Sequence, residues 1–104
     1  MKKNDTGYIY VAELLDNHIK IGITTNPDRR LRTLETSTGF QIKRSYVSRC
    51  ITHLSHTEYL IFKCLHQYRK LGEFFDIDYT EAVSVVGLFV DDRRKAVKQL
   101  LKRL

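Results

Sequence analysis

The stretch GYIYVAELLDNHIKIGITTNPDRRL, residues 7–31, decides the fold. Its first eight residues, GYIYVAEL, are rich in aromatic and branched side chains, the composition of a strand. Asp16-Asn17 is a turn signal. HIKIGITT, residues 18–25, alternates: Ile19, Ile21 and Ile23 face one way, and His18, Lys20 and Gly22 the other. That is the pattern of a half-buried strand, and the two strands make an antiparallel hairpin. Asn26-Pro27-Asp28 then opens a helix. Asn26 can cap it, and Pro27 sits at the first helical position, where a missing N–H costs nothing. The helix is predicted to run to about Thr36, with Leu31 and Leu34 toward the core, Arg29, Arg30 and Arg32 as its basic residues, and Gly39 as its stop.

Working outward, KRSYVSRCIT (43–52) reads as a third strand. A second helix starts at Ser55 or Thr57 and reaches about Tyr68. Gly72 interrupts, and EFFDI (73–77) is a short strand or extended segment. Thr80 opens a further helix through VSVV (83–86). Asp91-Asp92 can cap a final helix, RRKAVKQLLKRL (93–104), whose Val97, Leu100, Leu101 and Leu104 form one apolar stripe opposed by Arg94, Lys95, Lys98 and Lys102. The expected fold is α+β: a small three-stranded, mainly antiparallel sheet flanked by helices, with an extra basic C-terminal helix. The expected organisation is a domain over 1–78 and a helical extension over 79–104 packed on that same domain.

At 104 residues, 42% hydrophobic and 29% charged, the chain is one globular domain's worth. A single Pro and five Gly exclude a linker-rich chain. No apolar run approaches the roughly 18 residues of a membrane helix, and no apolar stretch follows the lysines of MKKNDTGY to act as a signal peptide. The expected location is the cytoplasm, a host's cytoplasm if the chain is phage-encoded, with no membrane partner. Cys50 and Cys64 make no disulfide framework and are expected to stay reduced in the core. The net charge is +6, and its location is informative: residues 1–92 are balanced, whereas residues 93–104 hold six basic residues and no acidic one. Such a segment suits a polyanion or an acidic protein, and reads equally as a solvated helix face.

Gly7-Tyr8-Ile9-Tyr10 on the first strand and Lys20-Ile21-Gly22 on the second resemble the two half-motifs of the GIY-YIG nuclease superfamily, which usually has Tyr-Ile-Gly in the second. The superfamily's catalytic Arg lies eight residues beyond that Gly, a position that falls on Arg30. Leu65-His66-Gln67-Tyr68-Arg69 and Gly72-Glu73-Phe74-Phe75 resemble the phage and bacterial branch, with its Gly-Glu-aromatic-Phe ending. The resemblance covers roughly residues 7–78. It implies an endonuclease that hydrolyses DNA phosphodiesters with a single Mg²⁺ or Mn²⁺.

That chemistry needs a base for water, charge at the phosphorus, a metal or acid for the leaving oxygen, and a grip on DNA. The resemblance assigns the base to Tyr10, with Tyr8 on the same strand face. A free Tyr has a pKa of about 10, which a nearby cation would lower. Lys20, standing where a second tyrosine is usual, can supply that charge or act on the water; as a residue facing away from the isoleucines it reads equally as solvent-exposed. Arg30 presents a fork of donors to phosphate oxygens.

The metal ligand of the superfamily is a Glu on the helix after the third strand. Here that helix contains Glu58 alone, inside the arc of Leu54, Ile61, Leu65 and Tyr68. A carboxylate there is costly unless paired or coordinating, so Glu58 is either the metal ligand or the partner of a core Arg or the helix N-terminus. Two departures stand out: the branch's usual Glu position, four residues before the His, is Phe62, and the Tyr or His often found one turn after the catalytic Arg is Leu34. His66 can contribute acid–base chemistry from the neighbouring helix. Arg29, Arg32, Arg94 and Lys98 are the candidate DNA-backbone contacts.

A zinc site from His53, His56 and Cys50 lacks any spaced Cys pair. No phosphate-cradling glycine loop and no Ser–His–Asp or Cys–His hydrolase motif is present. Two readings remain: a metal-dependent endonuclease whose specificity comes from a homodimer or a protein partner, and a catalytically degenerate domain of the same type that binds nucleic acid or protein.

Overall fold

A computed structural model describes residues 5–101. The leader reading at residues 1–4, and Lys102 and Leu104 of the final helix, lie outside the described residues. Strand β1 (Thr6–Leu14) pairs antiparallel with β2 (Ile19–Thr24) in the expected hairpin, with Tyr10 opposite Gly22 and Ala12 opposite Lys20. The turn between them is closed by Asn17 in the left-handed region (φ 70°) and by Asp16, whose carboxylate takes bonds from the backbone and ring of His18. Helix α1 (Pro27–Thr38) follows. Its Asn26 cap accepts from the Arg29 N–H at 3.2 Å, and Gly39 ends it at φ 77°, a conformation that favours a residue without Cβ.

The third strand is shorter than its sequence suggests. β3 (Ile42–Val47) runs beside β1, and the chain then breaks before β4 (Ile51–Thr52), which pairs with Thr6 and Gly7 at the start of β1. Ser48 makes the break: its hydroxyl accepts from the Ile9 N–H at 2.9 Å, while its own N–H bonds the Ile9 carbonyl. Helix α2 (Leu54–Cys64) also ends earlier than expected, and His66–Tyr68 form a 3₁₀ turn. The start of α2 is capped from outside by Asp5, whose carboxylate accepts from the Ser55 N–H and hydroxyl.

EFFDI contributes β5 (Phe74–Phe75), which adds to the free edge of β2. The sheet order is β3-β1-β2-β5, with β4 off this path on β1. Helix α3 (Tyr79–Asp91), capped by Asp78, extends well beyond Val86, with Phe89 and Val90 buried in its last turns. α4 (Arg93–Ala96), capped by Asp92, continues into wider π-type turns over Val97–Leu101.

β1 is buried on both faces, and this makes the molecule three layers. Ile9 and Val11 join Ile19, Ile21, Ile61, Phe75, Val86, Phe89 and Ala96 in the larger cluster, beneath α2, α3 and the terminal segment. Tyr10, Ala12 and Leu14 join Leu34 on the opposite face, beneath α1. Each fully buried aliphatic side chain contributes about 1.5–3 kcal/mol, so the larger cluster carries most of the stability. The smaller one chiefly seats α1 on the hairpin. The architecture is the expected α+β fold; the expected third strand is divided into β3 and β4, and the EFFDI segment supplies β5. Cys50 corrects its expectation: it is exposed at the break before β4, and only Cys64 is half-buried.

Candidate active site

The strand register sets the site. Residues directly opposite in an antiparallel pair share a face, so Tyr10 and Gly22 lie together, and Ala12 and Lys20 beside them. α1 covers this face and brings Arg30 down onto it. The Arg30 Nε–H donates to the Tyr10 hydroxyl at 3.2 Å. Gly22 leaves the room they need: a Cβ there would stand 2.6 Å from the Tyr10 hydroxyl and 2.8 Å from Glu73 Oε1.

Glu73 is the residue the sequence reading passed over. It enters from the edge beside β5, where its carbonyl accepts from the Ile21 N–H at 3.1 Å. Its carboxylate lies 3.2 Å from Lys20 Nζ and 3.9 Å from an Arg30 terminal nitrogen. Lys20 is therefore not a solvated strand residue. Its side chain is 13% exposed, between that carboxylate and the Phe74 ring, whose centroid is 4.7 Å away. A signal for Glu73 was present in the sequence: it is the charged residue of the Gly72-Glu73-Phe74-Phe75 motif, though nothing there names its partners.

Tyr10 is fully buried, and burial raises its pKa above the ordinary value. The hydrogen bond and charge of Arg30 pull the other way, and the carboxylates of Glu73 and Glu58 add to the rise. The expected lowering by a cation is thus present but outweighed: desolvation of a phenolate in a closed core costs more than one guanidinium returns. Tyr10 is a neutral phenol at neutral pH.

Glu58 is half-buried at the margin of the α2 face whose centre is Leu54, Thr57 and Ile61. It lines an open groove of about 990 Å³ together with Tyr59, Phe62, His66, Arg69 and Glu73. Its charge adds last and least to the rise of the Tyr10 pKa, and the groove it shares with Glu73 joins α2 to the hairpin edge. His66 stands exposed on the 3₁₀ turn, on the same groove, whereas the Tyr10 hydroxyl is engaged by Arg30. Tyr8, half-buried opposite Thr24, is one strand repeat away from the ion cluster. Phe62 packs edge-on against Phe75. Leu34 is 2% exposed against Tyr10, a packing position.

Among the described residues no cluster of three or more His, Cys, Asp or Glu side chains is arranged to hold a metal. One or two carboxylates on an open groove do fit an ion of the Mg²⁺ type, which keeps several waters and takes phosphate oxygens as further ligands. They do not fit a closed zinc or calcium cage. Arg29 and Arg32 are exposed on α1. Arg94 and Lys98 are exposed on the terminal segment, across the sheet from α1.

The hairpin edge of this three-layer α+β domain thus gathers a phenol, two cations and the Glu73 carboxylate. The chain belongs to the T5orf172 domain family, which matches residues 7–90, from the start of the hairpin to the end of α3. That domain is associated with phage and bacterial nuclease-like proteins. No curated protein and no solved structure matches the chain. Among the described residues no helix is long and apolar enough to cross a membrane.

Proposed function

We propose that the chain is a metal-dependent endonuclease of the GIY-YIG type, hydrolysing DNA phosphodiesters at the corner between the hairpin, α1 and α2. The observation that carries this reading is the Arg30–Tyr10 hydrogen bond beside Lys20, next to a groove that Glu58 and Glu73 line together. A phosphodiester entering there meets two cations, and the guanidinium presents paired donors to the oxygens that gain charge in the transition state. Tyr10 has no exposed surface and acts through Arg30, whose guanidinium its hydroxyl holds in place; Arg30 is also the group that favours its phenolate. A divalent ion held by Glu58 would supply further positive charge to the phosphate and the leaving oxygen. Arg29 and Arg32 extend the positive surface along α1 toward the DNA backbone.

The test is nicking of supercoiled plasmid with Mg²⁺ or Mn²⁺ by the wild type beside Arg30→Ala and Glu58→Ala. The expected result is nicking that EDTA stops and that each substitution lowers by about 10²-fold or more. Cleavage indifferent to both substitutions removes this site. One observation favours the degenerate binding module instead: Glu73 already faces both cations before any phosphate arrives. Salt-sensitive DNA binding without cleavage would establish that second reading.

A further inference from the structure

Glu73 is held against two cations by charge and by its backbone. Its Oε1 is shielded from solvent and, among the described residues, has no hydrogen-bond partner. Around it are Lys20 at 3.2 Å, Arg30 at 3.9 Å and the bare Cα of Gly22. The Glu73 side chain is 36% exposed, and its shielded Oε1 relies on the charge of the two cations rather than on a hydrogen bond. The backbone nevertheless fixes it firmly: the Ile21 N–H bonds its carbonyl, and the Phe74 N–H closes the preceding turn on the Leu71 carbonyl. The cations in turn are restrained by it. The flexible Lys20 stem is caught between the carboxylate and the Phe74 ring, and Arg30 is caught between the carboxylate and Tyr10.

We propose that Glu73 is the positioning residue of the phosphate site, a fixed counter-ion that holds Lys20 and Arg30 in line for a phosphodiester while repelling that phosphodiester in the ground state. A carboxylate and a phosphodiester carry the same charge and offer the same kind of oxygen, so they compete for the same donors. Two effects of opposite sign follow. Removing the charge strengthens resting DNA binding, because the internal competitor is gone. It also lowers turnover, because the two cations are no longer held in place. Turnover rests on the endonuclease reading above; the affinity effect requires only that phosphate binds here.

The experiment compares the wild type with Glu73→Gln and Glu73→Asp. Affinity for a short DNA duplex is measured without metal at low salt, single-turnover cleavage with Mg²⁺, and melting temperature alongside. Glu73→Gln is expected to bind about three- to tenfold more tightly, the scale of one partly screened charge, and to cleave at least about tenfold more slowly. Glu73→Asp keeps the charge, so its affinity stays near the wild type and part of the rate returns. Glu73→Gln binding no tighter than the wild type overturns the proposal, as does a parallel loss of affinity, rate and melting temperature, which marks a structural brace. If the wild type does not cleave, the endonuclease reading fails separately, and the order of the three affinities still decides the role of Glu73.

Discussion

At the residue scale the site turns on Tyr10, a phenol with no exposed surface that shares its hydroxyl with Arg30. Its pKa lies above the ordinary value because burial outweighs the guanidinium. A group whose folded pKa is raised gives stability that is complete below its unfolded pKa, about 10 for Tyr, and lost as pH rises through the folded value. The wild type should therefore lose melting temperature steeply above about pH 10, and Tyr10→Phe should lose less over the same range. Thermal melts from about pH 9 upward check this; parallel slopes for the two proteins would contradict it. Tyr46 and Tyr79 are raised in the same direction by burial, so only the difference between the two proteins reports on Tyr10. The sequence identified Tyr10, Lys20 and Arg30 by type and spacing, because strand alternation and helix phase place them. Whether a cation or burial would govern the phenol was not legible, since that depends on how far α1 closes over the strand.

At the scale of elements, α1 is the part that makes a site out of a hairpin. Two features seat it: the Asn26 cap at its start and Leu34, 2% exposed, in the small cluster with Tyr10, Ala12 and Leu14. Asn26→Ala should cost about 1 kcal/mol, the usual effect of removing a cap, and Leu34→Ala about 2–5 kcal/mol for the cavity it leaves. Denaturant melts measure both, and a Leu34→Ala cost below that of the cap would mean that α1 is not seated through this cluster. The hairpin, the caps at Asn26 and Asp92 and the stop at Gly39 were readable because each is a local signal between near neighbours in sequence. The break at Ser48, the cap that Asp5 gives α2 and the ion contacts of Glu73 were not. They join residues separated by 39, 50 and 53 positions, and a single sequence carries no pattern that links such partners. The long α3 was underestimated for a different reason: a glycine inside a helix weakens the propensity signal, and burial of Phe89 and Val90 restores what propensity lacks.

At the scale of the whole molecule, the three layers separate charges that the sequence alone would group. Arg29 and Arg32 lie on α1, over the Tyr10 face of the sheet. Arg94 and Lys98 belong to the terminal segment, whose Ala96, Val97 and Leu100 pack into the cluster on the other face. A straight duplex laid along α1 over Arg30 is expected to meet the first pair and not the second. Removing one cation that touches a phosphate reduces the slope of log affinity against log salt by about 0.9. On a short duplex, the double variant Arg29→Ala/Arg32→Ala should flatten that slope by about two, while Arg94→Ala/Lys98→Ala should leave it nearly unchanged. On longer or branched DNA, which can reach around the sheet edge, the second pair should begin to count. Anisotropy titrations across a salt series on the two substrates separate these cases. If the terminal pair flattened the slope on the short duplex as much as the α1 pair, the DNA would have to be bent around the domain even at that length, and the basic terminal segment would be part of the primary binding surface.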